Sequence, residues 1–306
     1  MRLWRAALVI ASVTIPAVIT VPADSQSPVL PNEFFALDTA MVRHLERDFI
    51  QRSDVETLAE LGYPGLAVVL PNAASWQHLS ERILPWLDEK KLKLYAVYTW
   101  GQVERETLSL DPELQRRLPL LKDHGTVIWL PIRSREFKPS DPAADDLVVA
   151  LVREVADAAA QYGLRVSLYP HVGNLIERTS DAVRIAEKSG RKNVSVTLNL
   201  CHWLRADGAD SMEGVIKLAL PWLTLVTING ADRDGKEWIR PLDSGTFDVA
   251  AFIGKLYQLG YRGPIGLQGF SVASRYRIEP RENLSRSMAA WKKLSKLAVA
   301  GGFPQP

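Results

Sequence analysis

Eight short apolar runs recur along this 306-residue chain, and each is followed by a segment with helical spacing. They cover residues 34–37, 65–70, 92–98, 125–132, 165–168, 194–200, 223–228 and 264–267. The runs are nearly free of charge and rich in Val, Ile and Leu, the pattern of strands buried on both faces. The segments between them carry helix signals. Ser53 with Glu56 three residues later reads as a capping box opening a helix over 53–61, and Gly62 stops it. Residues 75–91 read as one amphipathic helix. Asp111-Pro112 and Asp141-Pro142 each pair a cap with a first-turn proline. After the second pair, Leu147, Val148, Leu151, Val152, Val155 and Ala159 fall on one face. Further helices are expected over 179–189, 212–220, 249–259 and 283–298. Strand and helix in strict alternation specify a parallel α/β sheet. Eight units in about 270 residues suit a closed (β/α)8 TIM barrel over 34–300. An open doubly wound sheet would advertise a glycine-rich phosphate turn after its first strand, and Asp38-Thr39-Ala40 offers none.

The first 23 residues read as a leader and not as part of the fold. Arg2 and Arg5 precede an apolar stretch over 6–21, and Val21-Pro22-Ala23 places small residues before a cut. Signal peptide 1–23 is therefore expected to leave a mature start at Asp24, an extended lead-in over 24–33, and export to the periplasm or the extracellular space. An uncleaved membrane anchor is the alternative, although an apolar stretch of about 16 residues is short for a span. The formal charge is 37 − 35 = +2, and loss of Arg2 and Arg5 leaves 35 − 35 = 0. A neutral mature chain has no net pull on nucleic acid or anionic lipid, so neither is an expected partner once the leader is cut. The single cysteine, Cys201, excludes an intrachain disulfide and is expected to act as a small buried hydrophobe. Oligomeric state is left open by the sequence.

The chemistry-bearing residues gather at the carboxyl ends of the runs, where parallel α/β proteins meet their ligands. Tyr169 and His171 follow the fifth run, Asn199 and His202 the sixth, Thr227 and Asn229 the seventh, and Gln268 the eighth. Imidazole is matched to neutral pH, so His171 and His202 are the acid/base candidates. Tyr169, Asn199, Asn229 and Gln268 carry amides and a hydroxyl suited to paired hydrogen bonds with sugar hydroxyls. Trp100 offers a ring to stack on a sugar, as do Trp129 and Trp203, and Arg133 offers a fork for a carboxylate or phosphate. Asp38 and Asp232 are carboxylates near strand ends that could replace the missing base or, for Asp232, contact a substrate, although a helix cap or a loop hydrogen bond suits each better. The chain has no HExxH, no Walker sequence and no CxxC pair.

Residues 165–270 resemble the xylose isomerase-like TIM barrels of the sugar phosphate isomerase/epimerase superfamily. The likeness rests on NVSVTLNLCHW, on LTLVTINGADRDG, and most of all on the closing PLDSGTFDVAAFIGKLYQLGYRGPIGLQGF with its GYxGP turn. It extends more loosely back to Phe34. The resemblance implies a divalent metal held against sugar oxygens by a Glu and a nearby His after strand five, Asp-x-x-His after strand six, a His after strand seven and a Glu after strand eight. In this chain Tyr169 stands at the Glu position with His171 as the nearby His. Asn199 replaces the Asp while His202 keeps the His, Thr227 replaces the strand-seven His, and Gln268 replaces the last Glu. Every anionic ligand that the family pattern calls for is neutral here, and hard cations bind through carboxylates. No carboxylate metal site is therefore expected. His171 and His202 leave room for a divalent transition metal if a third ligand joins them. The implied function is an exported isomerase-, epimerase- or lyase-like enzyme acting on a carbohydrate or keto-sugar by acid/base chemistry. The alternative is a non-catalytic sugar-binding protein on a degenerate isomerase scaffold. DNA repair shares the barrel but is opposed by the neutral charge and the replaced ligands.

Overall fold

A computed structural model describes residues 30–42 and 49–300. The expected leader and the lead-in up to residue 29 lie outside the described residues. The eight barrel strands are β1 (Phe34–Leu37), β2 (Gly65–Val69), β3 (Lys93–Tyr98), β4 (Val127–Leu130), β5 (Arg165–Leu168), β6 (Val194–Asn199), β7 (Leu223–Ile228) and β8 (Ile265–Leu267). Each pairs in parallel with its sequence neighbours, and β1 closes on β8, so the barrel expected from the alternation is the one formed.

Period-2 alternation divides each strand between two cores. In β1, Phe34 and Ala36 belong to the large core under the helices, while Phe35 and Leu37 belong to the smaller core inside the barrel. Phe35 stacks on Tyr95 inside, ring centroids 4.3 Å apart. Gly266 makes that possible, since a Cβ there would meet the Phe35 ring at 2.6 Å. The β5–β6 side of the interior is polar: the hydroxyls of Ser167 and Thr197 are hydrogen-bonded at 2.7 Å. At the amino end, Lys93 and Tyr95 both donate to the carboxylate of Glu33, at 2.6 and 2.7 Å.

Local chemistry shifted several boundaries. The first helix is Arg52–Leu61, not 53–61, because Gln51 and Asp54 form the capping box in place of Ser53 and Glu56. The helix expected over 75–91 begins at Ala73 with Asn72 as cap, and a π-helical turn, Leu79–Ile83, interrupts it before Leu84–Lys90. Pro85 explains the wide turn, since its ring lacks an N–H and crowds the carbonyl four residues back. The fourth run splits at Pro131. Val127–Leu130 stays in the barrel, and Ile132–Arg133 joins Gly101–Val103 and Leu108–Leu110 in a small sheet that sequence reading missed. That sheet seats Arg133 opposite Gln102 beyond the carboxyl ends of β3 and β4. The last helix runs Pro280–Ala300. Among the described residues no helix is long and apolar enough to cross a membrane.

Candidate active site

The carboxyl end of β6 sets the site. Asn199 ends the strand and caps the helix Leu200–Asp207. Its Oδ1 accepts the backbone N–H of His202 at 3.3 Å and the thiol of Cys201 at 2.8 Å. With the carbonyl committed to the cap, the amide nitrogen faces the other way and donates to the phenol oxygen of Tyr169. Cys201 is fully buried, as its neighbours in sequence suggested, and burial pushes its thiol up.

The cap carries His202 on the first turn of its helix, buried at 4% exposure. Its ring lies over that of His171, centroids 3.9 Å apart and planes 40° apart. Trp238 packs edge-on against it at 5.4 Å, and Tyr169 at 6.0 Å. Burial holds His202 well below the usual imidazole range, with His171 adding to the shift, so the ring is neutral. His171 is half-buried and is lowered first by burial. Its Nδ1 lies 2.9 Å from the carbonyl of Val172. A carbonyl only accepts, so Nδ1 carries the hydrogen and Nε2 keeps the lone pair. The charge of Arg133 also lowers His171, and Arg133 bonds to Tyr98, whose phenol burial pushes up to about 12. Tyr98 meets Tyr169 edge-on at 5.0 Å, and Trp129 tilts against it at 5.2 Å.

The structure thus gathers Tyr169, His171, Asn199, His202 and Arg133. Asn229 is tied in through a loop: its amide nitrogen donates to the carbonyls of Gly230 at 2.7 Å and Trp238 at 2.9 Å, holding Trp238 against His202. Gln268 is buried, and its Oε1 accepts from the Thr39 hydroxyl at 2.5 Å and from the N–H groups of Gly269 and Phe270 at 2.9 and 3.3 Å. Its carbonyl therefore braces the turn after β8. Among the described residues no hydrogen bond or ion pair joins the Asp232 side chain to the histidines. It pairs with Arg240 at 2.7 Å, accepts the Thr246 N–H at 3.1 Å, and faces a separate pocket with Arg233 and Asp234. Trp100 is half-buried, and among the described residues no hydrogen bond or ring contact joins its side chain to the cluster. Trp203 is a core residue stacked on Phe252 at 5.4 Å.

Asp38 emerges from the structure with more weight than its position in the chain suggested. It follows β1 at the carboxyl face, fully buried, with Oδ2 accepting the Val69 N–H at 2.7 Å and Oδ1 without a partner among the described residues. Burial raises its pKa to about 7. Phe270, half-exposed just after β8, was not among the residues singled out from the sequence. The only signal for either was its place directly after an apolar run.

The donor set does not suit the metal that the family pattern implies. The carbonyls of Asn199 and Gln268 are spent on a helix cap and a turn. Tyr169 presents a phenol whose pKa burial raises far above its usual range. Two imidazoles on one tetrahedral ion would hold their centroids about 5 Å apart, given metal–nitrogen bonds of ~2 Å. The 3.9 Å spacing of His171 and His202 is that of stacked rings. Among the described residues no three His, Cys, Asp or Glu side chains converge to hold a metal ion.

Comparison with known proteins bears on the fold. A 3-dehydroshikimate dehydratase of Pseudomonas aeruginosa is 30% identical over 188 residues, 56% of this chain and 28% of that protein, so the chain spans little more than a quarter of the relative's length. The structure of 3-keto-D-glucoside 4-epimerase from E. coli matches with a TM-score of 0.66 at 18% identity, covering 86% of this chain and 99% of that one. D-Psicose 3-epimerase from Clostridium cellulolyticum matches with a TM-score of 0.63 at 18% identity, covering 86% and 99%. A family model described as xylose isomerase-like TIM barrel matches residues 55–294. With that match spanning most of a closed eight-stranded barrel, the chain belongs to the xylose isomerase-like TIM barrel family.

Proposed function

We propose that this protein is a sugar-modifying enzyme that acts on a carbohydrate, keto-sugar or related polyhydroxylated ketone by imidazole acid/base chemistry. The observation that carries the reading is the paired histidine arrangement. His171 has its Nδ1–H committed to Val172, leaving Nε2 as a base, and it lies against a neutral His202. Burial keeps His171 unprotonated at neutral pH, the form a general base needs. The compounds in the relatives' names share a carbonyl beside a hydroxyl-bearing carbon. For such a compound, Nε2 takes a proton from the carbon beside the carbonyl, and the electron pair moves to the carbonyl oxygen. Return of the proton to the other face gives epimerisation, and loss of a β-hydroxyl gives dehydration. Arg133 on the rim suits a substrate that carries a carboxylate. Export belongs to the same proposal and rests on Arg2, Arg5 and the apolar stretch over 6–21. N-terminal sequencing of the secreted protein should begin near Asp24, and a retained Met1 would overturn it.

The test of the chemistry is proton exchange in D₂O, followed by NMR, with EDTA-treated protein and a panel of ketoses, 3-keto-glycosides and 3-dehydroshikimate. Exchange beside the carbonyl that disappears in His171→Gln supports the proposal. Binding of a panel member, read as a thermal shift, with no exchange or turnover favours the second reading, a non-catalytic sugar-binding protein. That reading draws on the amide carbonyls of Asn199 and Gln268, which brace the fold and not a ligand.

A further inference from the structure

We infer that the throat at Tyr169 is an oxyanion seat: a set of hydrogen-bond donors that takes the carbonyl oxygen of the substrate, in the place where the family pattern implies a cation. The inference rests on the proposed enzymatic reading and adds the group that polarises the carbonyl.

Oδ1 of Asn199 is fixed on the backbone N–H of His202, so its nitrogen donates to Tyr169. Tyr169 is thereby the acceptor in that bond, and its own hydrogen must point elsewhere. Thr227 also bonds to the phenol, in the sense that lowers its pKa, and is therefore a second donor to the phenol oxygen that leaves the phenol hydrogen unspent. Side chains around the phenol are in the same condition. Among the described residues, Nε1 of Trp129 and Nδ1 of His202 are buried without partners. Trp129 and His202 pack on the Tyr169 ring, and the Thr227 hydroxyl is hydrogen-bonded to its phenol. All four side chains are at least 96% buried, from 0% exposure at Thr227 to 4% at His202.

An indole N–H can only donate. The phenol hydroxyl can donate, as can His202 in the tautomer with hydrogen on Nδ1. Buried polar groups are nearly always satisfied, and an unpaired one costs on the order of 1–3 kcal/mol. A site that collects unspent donors is completed by an acceptor. An oxygen carrying negative charge would meet hydrogen bonds there, whereas a cation would face at least the indole hydrogen, which cannot turn into an acceptor. When His171 Nε2 takes the proton, the C–H pair becomes a C=C bond and the carbonyl pair moves onto oxygen as an enolate. The O–H of Tyr169 holds that oxygen until the proton returns. The nearby unpartnered acceptor, Oδ1 of Asn229, suits a substrate hydroxyl.

The test uses azide, a small anion whose infrared stretch reports hydrogen bonding, with the full-length mature protein in EDTA. Wild type should show a bound, shifted azide band. Tyr169→Phe, which changes only the hydroxyl, should weaken azide at least tenfold. Asn199→Asp keeps the helix cap but turns the Tyr169 hydrogen towards the new carboxylate, so it too should lose the band while the melting temperature holds. Calorimetry should show no stoichiometric Mn²⁺ binding by the wild type. Equal azide binding in wild type and Tyr169→Phe, a band unaffected by Asn199→Asp, no bound band in the wild type, or tight Mn²⁺ binding by the wild type each overturns the inference. If the azide and Mn²⁺ results hold but no panel compound exchanges protons, the seat stands and the sugar-enzyme reading falls.

Discussion

Replacing Asp38 with Asn should stabilise this protein at alkaline pH and not at acid pH. Asp38 is fully buried, with one oxygen on the Val69 N–H and the other without a partner among the described residues, and burial raises its pKa from 3.8 to about 7. The folded pKa lies above the unfolded one, so between about pH 4 and 7 the native state keeps a proton that the unfolded chain releases. Stability from this residue is thus fully present below about pH 4 and declines as pH rises to about 7. A pKa gap of about 3, at ~1.36 kcal/mol per unit, makes the decline on the order of 4 kcal/mol. Asn keeps an acceptor for Val69 and removes the charge, but buries an amide N–H₂ at a cost of about 1–3 kcal/mol if it stays unpaired. Asp38→Asn should therefore gain about 1–3 kcal/mol over wild type at pH 8.5, and match it or fall below it at pH 4.5. Urea unfolding followed by tryptophan fluorescence at several pH values reads the difference, and the histidine contributions, common to both proteins, cancel. A stability difference that does not change with pH would refute the reasoning. A stabilised but inactive variant would show that the barrel retains a costly carboxylate for its chemistry.

Because burial, and then the charge of Arg133, lower His171, the turnover rate should stay flat from pH 8 down through about 6.5 and fall only below the ordinary imidazole range. Arg133→Ala should move that acid limb upward, and His171→Gln should cost at least ~10²-fold in rate; a wild-type limb at pH 7 or above contradicts this. Gly230→Ala should lose more than about 3 kcal/mol or displace the Trp238 loop. A Cβ at 230 would lie 2.0 Å from the Pro241 carbonyl oxygen and 2.3 Å from that of Ser244; an unchanged melting temperature and Trp238 emission would show the loop is not packed as described. Gln268→Leu strips the acceptor from three donors and should cost about 2–4 kcal/mol in urea unfolding. Gln268→Glu, which keeps the oxygen, should cost less, and equal losses would argue against the brace.

The sequence alone was enough for the barrel. Strand and helix periods are set by neighbours a few residues apart, so the eight runs, the Asp111 cap and the Gly62 stop could be read without a structure. The identity of the strand-end residues, and the loss of carboxylates among them, was equally legible. What each of those side chains is free to do was not. Asn199 and Gln268 look alike in sequence as amides awaiting a ligand. Only the folded chain shows their carbonyls spent, one on the helix it precedes and the other on Thr39, a partner 229 residues away. The stacking of His171 on His202, the pairing of Asp232 with Arg240, and the burial that lifts Asp38 are likewise products of packing. Residue type sets what a group can donate or accept, but its protonation and its spare hydrogen bonds depend on which distant segments exclude water from it, and that is decided when the barrel closes.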